Sequence, residues 1–99
     1  MPLDTQRVYS VYVSDIAWNA LGYPRVSVLK TWPLGPVSQV QTAARRQRTI
    51  KLTPNLAAHL EAIALISGLK APYKDDATTG EGLIGLAIEA IGQQLGGIS

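Results

Sequence analysis

At Thr53-Pro54 the hydrophobic pattern of the chain changes period, and this junction limits the available folds more than any other feature. Upstream, Gln47 to Leu52 alternates, with Thr49 and Lys51 on one face and Ile50 and Leu52 on the other, as in a one-sided strand. Downstream, Leu56, Leu60, Ile63, Ala64 and Ser67 recur at helical spacing, and Gly68 is a suitable stop. Threonine can cap the free N–H groups of a first helical turn, and proline at the first helical position has its φ preset. A short strand therefore runs directly into a helix. After a loop from Lys70 to Thr78, Thr79 can cap a second helix in which Ile84, Ala87, Ile88, Ile91 and Leu95 share a face, ending at Gly96-Gly97. Gly80, Gly82, Gly85 and Gly92 weaken that helix by about 1 kcal/mol each relative to alanine, a deficit that tertiary packing must offset.

The first half is less regular. Arg7 to Val13 is rich in valine and tyrosine and predicts a strand, with Ser14-Asp15 as a turn or N-cap and a short helix over Ile16 to Leu21, closed by Gly22. Val26 and Val28 alternate with Ser27, which predicts a further strand over Arg25 to Leu29. Trp32-Pro33-Leu34-Gly35-Pro36 continues neither element, and Val37 to Gln47 is the candidate linker. This divides the chain into a β-rich extension and linker, residues 1–44, and a strand-helix-helix domain, residues 45–99. Val11-Tyr12-Val13-Ser14 followed by Leu21 echoes Ile50-Lys51-Leu52-Thr53 followed by Leu60 at a constant offset of 39. A true repeat would need a second helix after the first copy, which Pro24 and the Val26/Val28 strand deny it, so the echo is read as coincidence.

Folding 99 residues removes only about two-thirds of the exposable surface from water. Strand, helix, loop and helix in about fifty residues leave the strand with two open edges and the helices half covered. Ile50, Leu52, Leu60, Ile63, Ile84 and Ile88 are then expected to form the core of a homodimer or a higher oligomer.

The charge is unevenly placed. From Ile16 through Leu60 there is no acidic residue, while Arg25, Lys30, Arg45, Arg46, Arg48 and Lys51 are all positive; the remainder reverses sign through Glu61, Asp75, Asp76, Glu81 and Glu89. That asymmetry suits a surface that meets a polyanion, although a solvated basic loop would show it too. There is no cysteine, hence no disulfide and no thiolate chemistry, and one histidine leaves little for acid–base work. No signal-like start and no long uncharged apolar run is present, so the expectation is a cytoplasmic protein without a membrane partner.

Arg48-Thr49-Ile50-Lys51-Leu52-Thr53-Pro54 leading into Leu60, with Ile84-Gly85-Leu86-Ala87-Ile88-Glu89 in the last helix, resembles the ribbon-helix-helix family of DNA-binding proteins over residues 45–95. The resemblance implies an α+β dimer in which two chains pair their strands into a ribbon that enters the major groove. It implies a sequence-specific regulator of transcription, either a repressor or an autoregulator of plasmid or antitoxin type, whose partner is double-stranded DNA. The outward strand positions fall on Gln47, Thr49 and Lys51, whose side chains suit adenine, thymine and guanine edges respectively. Phosphate contacts would come from Arg45, Arg46 and Arg48, and from the second helix's N-terminus at Thr79 and Gly80. Two departures stand out. Arg48 occupies a position that is usually apolar, so either the ribbon starts one residue later or this side chain swings out to a phosphate. The loop from Lys70 to Thr78 also exceeds the usual tight turn.

Other motifs carry less. Gly80-Glu81-Gly82-Leu83-Ile84-Gly85 matches a dinucleotide fingerprint but is followed by too little chain for a nucleotide-binding unit. His59 lacks metal-ligand partners and is expected at a surface or interface. Asp75-Asp76 lie adjacent in a loop and give no reason to expect a catalytic pair. Tyr9, Tyr12, Trp18, Trp32 and Tyr73 could stack on bases, but aromatics of a small chain more often fill its core. No cofactor is expected, and an enzyme is the least supported class. The competing reading is a protein-interaction scaffold with its N-terminal strands as a docking edge.

Overall fold

The computed structural model describes residues 5–21, 24–35, 37, 44–69 and 82–96. Strand β1 (Arg7–Ser14) leads into helix α1 (Asp15–Leu21) and a 3-10 helix, α2 (Pro24–Thr31); strand β2 (Arg45–Leu52) leads into α3 (Pro54–Ile66), and α4 (Leu83–Leu95) follows. The fold is α+β: β1 and β2 form a two-stranded antiparallel sheet, and the helices complete one core with it.

The strand-to-helix junction at Thr53-Pro54 forms as the local signals require. Thr53 Oγ1 accepts from the Leu56 N–H at 3.1 Å, Pro54 opens the helix, and Gly68 beyond its end takes φ 74°. Strand β2 starts at Arg45, two residues before the expected alternation, and keeps its inward set of Ile50 and Leu52.

Arg25 to Leu29 is not a strand. The segment is helical, because proline presets φ for a first helical turn and five alternating residues are too few to impose an extended backbone. Leu29 from this segment is fully buried in the common core.

Strand β2 finds its partner within the same chain. All eight residues of β1 pair with it, from Arg7 opposite Leu52 to Ser14 opposite Arg45. Residues 7–21 are therefore not an appendage to a domain that begins at residue 45. They supply its second strand, and Tyr9, Val11, Val13, Ala17 and Leu21 share one core with Leu52, Leu60 and Ile88. The six residues assigned above to a dimer core are all buried inside a single chain. Their burial does not require a second chain, since β1 and α1, from the first half of the sequence, supply the cover. Thermal unfolding should accordingly show a midpoint that stays constant from about 1 to 100 µM protein, where a dimer that folds only on association would shift upward with concentration. A midpoint that climbs steadily with concentration would restore the two-chain requirement.

The register also explains the echo. Ser10–Thr49 is one of the two middle pairs of the ladder, and a local two-fold axis through it relates each residue from Arg7 to Val13 to the residue 39 positions later in β2. Val11 and Ile50, and Val13 and Leu52, are buried at equivalent places. Ser14 Oγ accepts from the Ala17 N–H at 3.3 Å as Thr53 Oγ1 does from Leu56, and Leu21 and Leu60 are buried at matching helical positions. The offset is thus a structural repeat of strand, cap and first helix, which needs no second helix in the first copy. It ends where α1 stops at Leu21 while α3 continues to Ile66.

Helix α4 packs at once on β1, α1 and α3. Every residue from Ile84 to Gln93 is buried, so the single apolar face expected from Ile84, Ala87, Ile88 and Ile91 widens to the whole circumference over that length. Its glycines account for part of this. A Cβ at Gly85 would stand 3.3 Å from the Tyr12 backbone nitrogen, and one at Gly92 only 2.6 Å from the Ala17 Cβ and 2.7 Å from the Ala17 carbonyl oxygen. The glycines let α4 lie directly against β1 and α1. At the same interface the buried Glu89 carboxylate accepts from Ser14 N–H at 2.6 Å, Ser14 Oγ at 2.6 Å and Gln93 Nε2 at 2.7 Å.

The start of α4 differs from expectation. Gly82, at φ 94°, precedes the helix and no side chain caps it, so Thr79 is not its N-cap. Thr79, Gly80 and the loop from Lys70 to Thr78 lie outside the described residues. No helix among the described residues is long and apolar enough to cross a membrane.

Candidate nucleic-acid interface

Because successive side chains of a strand point to opposite faces, burying Tyr9, Val11, Val13, Ile50 and Leu52 leaves the other face of the sheet outside. That face carries Val8, Ser10 and Tyr12 from β1, and Gln47, Thr49 and Lys51 from β2. Across the ladder Val8 is opposite Lys51, Ser10 opposite Thr49, and Tyr12 opposite Gln47. Gln47 Nε2 also donates to Ser10 Oγ, which ties the two strands on the exposed side. Neither strand contains an acidic residue. The three β2 residues singled out from the sequence are thus brought together, exposed and evenly spaced.

The arginines divide. Arg45 shares the outward alternation of Gln47 and Thr49 and is exposed. Arg46 is exposed as well, with its guanidinium 3.7 Å from the Asp15 carboxylate, a distance and exposure at which an ion pair contributes little. Arg48 alternates with the buried set, yet it neither shortens the ribbon nor swings out. Its Nε donates to the Val13 carbonyl at 3.1 Å, its Nη2 reaches Asp15, and its guanidinium lies over the Trp18 ring at 5.2 Å. Its side chain is 17% exposed. A residue this engaged is a structural clamp between β2 and the start of α1. Replacing Arg48 by alanine should destabilise the fold by about 1 to 2 kcal/mol, through loss of a charged hydrogen bond and a cation–π contact. Arg46→Ala should leave the melting midpoint nearly unchanged. Equal midpoints for the two variants would contradict this division.

Most aromatics lie away from the exposed face. Tyr9 is buried, and Trp18 and Trp32 pack against the core; Tyr12 is the one among the described aromatics that sits on the outward face. Tyr73 lies outside the described residues. His59 Nε2 donates to the Trp32 carbonyl at 2.6 Å, and Ser67 Oγ accepts from the Val37 N–H at 3.0 Å, so both hold the segment after α2 onto α3. No group of three or more potential metal-ligating side chains occurs among the described residues.

Sequence reasoning missed Val8, Ser10 and Tyr12 as members of this face, and the signal that could have found them was the offset of 39. Compared with protein-family models, curated proteins and solved structures, the chain matches none.

Proposed function

We propose that the chain binds double-stranded DNA in a sequence-specific way, with the β1–β2 ribbon in the major groove as in ribbon-helix-helix proteins. Its role would be that of a transcriptional repressor, or of an autoregulator of plasmid or antitoxin type. The observation that carries the reading is the exposed acid-free ribbon face, with Gln47, Thr49 and Lys51 in a row and the apolar set turned inward. A two-stranded ribbon fits a groove about 12 Å wide, and these side chain types can distinguish base edges there. Arg45, exposed at the start of β2 on the same alternation as Gln47 and Thr49, supports a phosphate contact beside them; Arg46 is exposed but alternates with the inward set. Since one chain carries both strands, one chain is the unit that enters the groove.

The test is to select duplexes from a random pool and to measure affinity at two salt concentrations. Lys51→Ala should keep the wild-type melting midpoint, bind the selected duplex roughly tenfold more weakly, and relax preference at one base pair. Arg45→Ala should weaken binding to all duplexes alike and reduce the salt slope by about 1. If Lys51→Ala binds as well as wild type, the face does not read bases; if no salt-sensitive DNA affinity is found, the ribbon belongs to a protein partner.

A further inference from the structure

The local two-fold axis of the ribbon relates unlike side chains: Val8 is equivalent to Gln47, Ser10 to Thr49 and Tyr12 to Lys51. Resting on the DNA reading above, we infer that Val8, Ser10 and Tyr12 are base-reading residues in their own right, and that the DNA site of this chain is non-palindromic. Homodimeric readers select palindromes because both halves of the protein present the same residues. Here the two halves share a backbone geometry and differ in chemistry.

Three observations support this. The β1 residues are on the same face, in the same register and at the same spacing as the β2 residues, so Val8 to Tyr12 spans the same length as Gln47 to Lys51, about 14 Å. Whatever brings one strand into the groove brings the other, because they pair along all eight residues. Val8 is 53% exposed in a strand whose other valines, Val11 and Val13, are fully buried. An apolar side chain at that place can meet the methyl group of thymine, Ser10 can donate to or accept from any base edge, and the Tyr12 hydroxyl can do likewise. Strand β2 brings an amide and an ammonium, which favour adenine and guanine, so one end of the ribbon presents Val8 with Lys51 and the other Tyr12 with Gln47.

The full chain is tested by selection from a random duplex pool, with the number of chains per duplex measured by sedimentation. Wild type should enrich an asymmetric site bound by one chain. The triple variant Val8→Gln, Ser10→Thr, Tyr12→Lys makes the two outward faces chemically alike and should convert the preferred site into an inverted repeat. Tyr12→Phe, a smaller change, should relax preference at one base pair in the half of the site opposite to that relaxed by Lys51→Ala, because Tyr12 lies opposite Gln47 at the other end of the ribbon, and it covers the case in which the triple variant folds poorly. A palindromic wild-type site occupied by two chains would overturn the inference. So would Lys51-dependent binding whose site is unchanged in both β1 variants. Absence of any duplex binding by wild type would instead remove the DNA reading itself.

Discussion

Replacing Glu89 by alanine is expected to destabilise the protein by about 3 to 5 kcal/mol, enough to leave a domain of this size largely unfolded at 37 °C. The carboxylate is fully buried on α4 and accepts from the Ser14 N–H and hydroxyl and from the Gln93 amide. Removing it leaves the Ser14 N–H and the Gln93 amide in the interior without this acceptor, at about 1 to 3 kcal/mol for each donor left unsatisfied, and opens space beside them. Ser14 is where β1 ends and α1 begins, so the loss falls on the joint that fixes the direction of α1. Ser14→Ala should cost less, because the backbone N–H keeps its acceptor. Combined in a double-mutant cycle by chemical denaturation, the two changes should be coupled by about 1 kcal/mol or more. Strict additivity would mean that the two groups do not share a network.

Gly92→Ala should lower stability by about 2 to 3 kcal/mol, or roughly 10 to 20 °C in melting midpoint, although alanine is the better helix former by about 1 kcal/mol. The added carbon would stand 2.6 to 2.8 Å from the Cβ, carbonyl oxygen and Cα of Ala17. Two of these atoms are backbone, which cannot rotate aside, so α1 and α4 must separate and lose contacts along their length. Gly92→Leu should abolish folding. At Gly85 the closest atoms are 3.3 and 3.4 Å away, where a shift of a few tenths of an ångström suffices and the propensity gain nearly cancels the strain. Gly85→Ala should therefore change stability by less than about 1 kcal/mol, and Gly35→Ala, with nothing within 4 Å, serves as a neutral control. A Gly92→Ala protein that melts above wild type would show that α4 does not lie against Ala17.

Both predictions concern α4, the element whose environment was least legible. Its helical period and its end could be read from Ile84, Ile88, Ile91 and Gly96, but its start could not, and its glycines looked like defects. Glycine lowers helix propensity locally, and only a neighbour's position tells whether the missing Cβ is a loss or a requirement. Glu89 gave no warning either, since an acidic residue between apolar ones has the same pattern whether it faces water or a buried Ser14. Arg48 was recognised as anomalous, yet its partners Val13, Asp15 and Trp18 lie thirty or more residues away in the chain, where no local pattern encodes a contact.

What the sequence determined by itself is local: the switch of period at Thr53-Pro54, the cap and proline that start α3, and the alternation that turns Ile50 and Leu52 inward and Gln47, Thr49 and Lys51 outward. Those properties depend on residues within one turn or one strand, and they hold whatever covers the element. The tertiary structure decided which chain supplies that cover. A strand's open edge accepts any complementary backbone, and periodicity specifies a face without naming the partner. Only the antiparallel pairing of β1 with β2, in the register that sets Ser10 opposite Thr49, makes one chain into a ribbon with two unlike strands.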